Sequence, residues 1–195
     1  METRKNIPIH PFPHADALSD WLAENHLEST GIWIKFAKKN SGIPSVTYEE
    51  AREAAIRHGW IDGLIHPYDD RYFLRLFTCR KPKSGWSKIN RTIAEALMEQ
   101  GRMSPAGLAQ VEAAKKDGRW DVAYDSPSKM TVPEDFQEAL TLHPAAAEFF
   151  STVKGANRYA FLYRIQTART PKLRAQRIEK FIEMLEAGEL LHPLL

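Results

Sequence analysis

The chain has 195 residues, 43% of them hydrophobic and 27% charged, with a formal net charge of +2 at pH 7. That length and balance suit an ordinary soluble protein with one sizeable core, or one core beside a small helical module. The charge is too mild to argue for nucleic acid, no apolar run reaches the roughly 20 residues of a membrane helix, and Cys79 has no partner for an internal disulfide. The N-terminal residues form no apolar signal-peptide region, so a cytoplasmic location is expected.

In chain order, residues 15–25 read as a short helix with Leu18, Trp21 and Leu22 on one face. Residues 31–38 read as a strand that alternates Ile32, Ile34 and Phe36 with Trp33, Lys35 and Ala37. Thr47 opens the next helix with a capping box, since Glu50 lies three residues on. Tyr48, Ala51 and Ala55 share a face of it, which implies close packing on a flat partner such as a sheet, and Gly59 stops it. Residues 60–65 and 71–79 read as strands joined by the turn-rich His66-Pro67-Tyr68-Asp69-Asp70.

Ser87 caps a helix that turns Ile89, Ile93, Ala96 and Leu97 inward and ends at Gly101. Ser104-Pro105 starts another, which closes at Gly118. Residues 125–132 read as a linker. Helical patterns follow at 133–142, 144–152, 158–169 and 171–187. The last is capped by Thr170, striped with Ile178, Phe181, Ile182 and Leu185, and stopped by Gly188. The pattern predicts an α+β fold. A small sheet of about three or more strands, including a hairpin and packed by helices, occupies residues 1–125, and an all-helical module occupies 130–195.

Candidate chemistry gathers where the hydrophobic pattern breaks. His58 sits at a helix end, where the dipole favours its charged form, and Asp62 follows in the strand. The two suit either an acid/base pair or a capping histidine with a turn-fixing aspartate. Trp60 and Trp86 are candidate walls for a planar or anionic ligand, although a strand position such as that of Trp60 or Trp33 suits the core better. Arg80, Ser84, Ser87 and Asn90, with Lys81 and Lys83, gather cations, hydroxyls and an amide at a helix N-terminus, which suits either an anion cradle or a solvated basic loop.

Basic residues alternate with aromatics through residues 71–77, but both strand faces are then largely apolar, which suits a buried central strand better than nucleic-acid binding. The seven histidines show no metal-ligand spacing, and no cofactor motif is present. A strand-end Cys79 is more simply inert than nucleophilic. Arg174 lies on the apolar stripe of the last helix, where it must be paired, face a cleft or ligand, or extend to solvent.

The Trp33 strand, Gly59-Trp60-Ile61-Asp62-Gly63, Trp86-Ser87-Lys88-Ile89-Asn90, Gly101-Arg102-Met103-Ser104-Pro105-Ala106-Gly107, and Arg174 with Arg177-Ile178 resemble the YdeI/OmpD-associated family over nearly the whole chain. The resemblance implies a role in bacterial envelope stress or tolerance of antimicrobial peptides, with no reaction or cofactor attached. Two positions depart from the family pattern: Cys79, where a proline is usual, and Leu173, where a threonine is common. Three expectations follow: a small anionic or planar ligand between the hairpin and residues 80–91; an acidic protein partner met by the basic tail of Arg174, Arg177 and Lys180; and an enzyme using His58 and Asp62.

Overall fold

A computed structural model describes residues 2–26 and 28–192. The strands are β1 (Thr3–Arg4), β2 (Ile7–Pro11), β3 (Ile32–Ala37), β4 (Trp60–Pro67) and β5 (Tyr72–Cys79). The helices are α1 (Ala15–Asn25), α2 (Tyr48–Arg57), α3 (Lys88–Glu99), α4 (Pro105–Lys116), α5 (Glu134–Leu142), α6 (Pro144–Thr152), α7 (Gly155–Gln166) and α8 (Pro171–Glu186). The fold is α+β. Two compact units divide the chain: Met1–Ser84 with Thr92–Ala114, and Gly85–Arg91 with Lys115–Leu195.

In the first unit the five strands form one mixed sheet in the order β1-β2-β3-β5-β4. β2 runs parallel to β3, with α1 as the crossover, and every other pairing is antiparallel. The alternation in β3 decides which side chains face the helices. Ile32, Ile34 and Phe36 join Leu18 and Leu22 of α1, the alanines of α2, Trp60 and Phe77 in the main core. On the other face, Trp33 packs with Ile9 and Leu74, and its indole N–H donates to the Arg4 carbonyl at 3.3 Å. The basic-aromatic strand is β5, central between β3 and β4, with Leu74 and Phe77 buried.

The β1–β2 hairpin is absent from the sequence reading. Its signal is weak because Pro8 and Pro11 lie in β2 and no glycine marks the turn, which is made by Lys5 and Asn6 at φ of 51° and 61°. α3 also differs: Asn90, Ala94 and Leu97 are buried, while Ile89 is exposed.

The capping box on α2 is formed in full, and Gly59 ends the helix at φ 76°. There the start of α4 meets the end of α2. Ser104 gives both its N–H, at 3.1 Å, and its hydroxyl, at 2.8 Å, to the Arg57 carbonyl. A side chain at Gly107 would bring its first carbon within 2.2 Å of that same oxygen. The Gly101–Gly107 motif is therefore a packing device in which glycine admits a backbone.

The second unit is built on α5–α8. Phe136, Phe150, Phe161 and Phe181 meet edge-to-face in a chain, with centroids 5.3, 6.2 and 5.0 Å apart, an arrangement that adds to the area they bury. α7 begins at Gly155, three residues before the sequence pattern suggests.

Gly107→Ala should destabilise the first unit by about 2 kcal/mol, because overpacking outweighs the helix-propensity gain. Gly63→Ala, whose new carbon would meet only Leu76 O at 3.7 Å, should stay within about 0.5 kcal/mol. Denaturant midpoints of the two variants check this.

Candidate functional site

The α2–β4 corner carries His58 and Asp62, each engaged elsewhere. His58 is buried, and its Nε2 lies 2.9 Å from the Ser19 hydroxyl of α1. Burial, reinforced by Arg57 and His26, pushes its pKa down, against the direction of the helix dipole. The ring is thus neutral at pH 7. Asp62 accepts from the Tyr48 hydroxyl at 2.9 Å and pairs with Arg75 at 2.7 Å. The Arg75 guanidinium also lies over the Tyr48 ring, 3.9 Å from its centroid, and burial, then the Asp62 carboxylate, pushes the Tyr48 phenol up.

A hydroxyl against a neutral imidazole is the arrangement that activates a nucleophile. The cleft at Ser19, walled by Glu50, Glu53, Arg57 and Arg102, has a volume of about 90 Å³. That is room for water, not for a metabolite, so the contact serves first as a tether between α1 and α2. Nothing in the spacing marks Ser19, since it lies 39 residues from His58.

The other expected contacts are largely committed to local structure. In the first unit, Trp60 is fully buried with its ring 5.8 Å from that of Trp21. Arg80 is buried, and its N–H donates to Gly59 O. Ser84 closes a turn by accepting from Lys81 N at 2.9 Å. The Cys79 thiol donates to His26 O, and burial pushes its pKa up, which disfavours the thiolate.

In the second unit, Trp86 is buried with its ring 4.9 Å from that of Trp120. Main-chain bonds join its segment to Tyr124. The Ser87 hydroxyl caps α3 by accepting from Asn90 N at 3.1 Å, and Asn90 itself is buried.

Arg174 is paired. Its Nε and Nη2 grip both Asp135 oxygens at 2.6 and 2.8 Å, and its Nη1 donates to Ile165 O at 3.0 Å. The guanidinium hydrogen-bonded to Asp135 holds that carboxyl below its usual range. At the far end of α8, His143 Nδ1 meets Glu186 at 2.8 Å. Between these two pairs lies a groove of about 730 Å³ along α5 and α8. Ala139, Ala175, Ile178 and Ile182 give it an apolar floor, and Glu179 and Glu183 line it.

Among the described residues no three His, Cys, Asp or Glu side chains converge on a metal position, and no helix is long and apolar enough to cross a membrane.

Residues 10–110, just over half the chain, match the family model described as a domain of unknown function, DUF8412. The chain belongs to that family. Residues 129–188 match the model described as Bacteriocin-protection, YdeI or OmpD-Associated, which spans α5–α8. The YdeI/OmpD-associated resemblance is supported by that match over the helical module, while the residues before it match a different model. No curated protein and no solved structure matches the chain.

Because the folded-state pKa of His58 lies below its unfolded value, the unfolded chain takes up the proton first as pH falls. The linked stability is full above about pH 6.5 and declines below it. The melting temperature should fall below that pH in the parent, and less so in His58→Gln; equal slopes would remove His58 as the cause. Arg174→Lys loses the two-pronged grip on Asp135. With the Asp135 side chain 44% exposed, the expected loss is about 1 kcal/mol, read as a lower denaturant midpoint.

Proposed function

We propose that the helical module is a recognition module whose α5/α8 groove takes a cationic, amphipathic segment of another polypeptide. The carrying observation is the pattern of charge pairing. Asp135, at one end, is paired inside the module with Arg174, and Glu186, at the other, shares a hydrogen bond with His143. Glu179 and Glu183, between them, have no ion-pair partner among the described residues. Arg174 and Glu186 lie twelve positions apart on α8, about 18 Å of helix, enough to receive roughly three turns of a partner helix. An apolar face would bury against Ile178, and lysines or arginines would meet the open carboxylates.

This inverts the charge expected of a partner. The basic tail suggested an acidic one, but Arg174 already serves Asp135, and the α5-facing side of α8 presents acid. The family description, bacteriocin protection and OmpD association, supports a polypeptide ligand. Tolerance of antimicrobial peptides under envelope stress is the role we propose for its capture. A small anionic or planar ligand at Arg80, Ser84, Trp86, Ser87 and Asn90 has less support, since the Ser84 and Ser87 hydroxyls already close a turn and a helix cap.

Fluorescence anisotropy with a labelled lysine/leucine amphipathic helical peptide tests the reading. Saturable binding should weaken when ionic strength rises from about 0.01 to about 0.5 M. It should also fall about tenfold in Glu179→Lys/Glu183→Lys, since two reversed surface charges amount to about 1.4 kcal/mol. Binding unchanged by the double reversal would overturn it.

A further inference from the structure

On a helical wheel, Arg177, Lys180, Phe181 and Met184 project from the side of α8 opposite the groove. They line a second cleft, of about 580 Å³, completed by Arg164 of α7 and by Leu190. Its chemistry is the reverse of the first. Arg164, Arg177 and Lys180 supply three cations, against which Glu189 is the carboxylate among the lining residues. Among the described residues none of the three cations has an ion-pair partner.

Arg177 is held in place, because its Nη1 donates to the Arg164 carbonyl oxygen. Burial, followed by the nearby Arg164 and Arg169, pushes its pKa below the ordinary arginine value. Positive charge collected in this way disfavours the folded state unless something negative answers it. Arg169 has its own answer in Asp117, at 3.8 Å; among the described residues the three cleft cations have no ion-pair partner.

We propose that this cleft binds a single-chain amphiphilic anion, its carboxylate or phosphate-type head among Arg164, Arg177 and Lys180 and its alkyl chain along Phe181, Met184 and Leu190. An arginine fork matches such a head group in plane, and a lysine adds point charge. The volume falls within the range of small-molecule sites. A cleft walled on one side by charge and on the other by the buried Phe181 and the partly buried Met184 and Leu190 suits one molecule drawn from solution, not a bilayer surface. The site lies on the other face of α8 from the peptide groove and carries the opposite charge, so either reading stands if the other fails.

Isothermal titration calorimetry of the full chain with octanoate, decanoate and dodecanoate, each below its micelle concentration, reads the proposal directly. Binding should be one-site and saturable, with affinity rising about fourfold per added methylene. Decanol, which lacks the charge, should bind at least tenfold more weakly than decanoate. Arg164→Gln/Lys180→Gln changes side chains that hold no other element, and should weaken decanoate binding at least tenfold without lowering the melting temperature. Vesicles of phosphatidylglycerol form the second arm and should not sediment with the protein. The proposal is overturned by absence of saturable binding, by affinity indifferent to chain length or head charge, by binding unchanged in the double variant, or by capture on vesicles without binding of the free anion.

Discussion

Arg174 bonds to two other helices at once, and the geometry of the helical module follows from that. One edge of its guanidinium clasps Asp135 of α5, and a remaining N–H reaches the Ile165 carbonyl at the end of α7. A lysine has no flat fork to do this. The contact sets the distance between α5 and α8, and so the width of the groove between them. The His143–Glu186 pair repeats the constraint at the other end, so the two helices run in the same direction. The apolar core beneath, which contains the edge-to-face phenylalanine chain, supplies most of the cohesion, since exposed ion pairs contribute little by themselves. The polar pairs specify position, and the apolar core holds it.

The first unit uses its polar residues differently. Its glycine-rich segments look like ligand loops in sequence, yet Gly59 and Gly107 admit backbone where a side chain would collide, and Ser104 gives two hydrogen bonds to one helix-ending carbonyl. Asp62, Tyr48 and Arg75 form a cross-element knot at the sheet margin. Polar groups at such a corner are needed because a buried helix end leaves carbonyls that must find donors. A motif of glycine, serine and charge is thus as natural at a packed corner as at a binding site.

Much of the fold was legible. The period of β3, the Thr47-Glu50 capping box and the Thr170 cap each state a local geometry that the structure repeats. The hairpin at Lys5-Asn6 was hidden because its strand carries two prolines and its turn no glycine. The sites were less legible because pairing across the fold leaves no spacing signal. Arg174 announced itself as an arginine on an apolar stripe, but Asp135, 39 residues earlier, carries no mark of being its partner. Ser19 is one serine in a helix until α2 brings His58 to it. The two charge faces of α8 are written in its sequence at helical spacing. Their meaning emerges only once Arg174 is seen to be paired and Glu186 hydrogen-bonded, while among the described residues Glu179, Glu183, Arg177 and Lys180 have no ion-pair partner.

The groove's occupancy is tested most directly by methyl NMR of the full chain, with isoleucine methyls labelled, titrated with the lysine/leucine helical peptide. Ile178 and Ile182 are the isoleucines that line the groove, whereas Ile9, Ile32 and Ile34 lie in the sheet. The account predicts saturable shifts at Ile178 and Ile182, with the sheet isoleucines unmoved. Shifts confined to the sheet, or no shifts at saturating peptide, would contradict it.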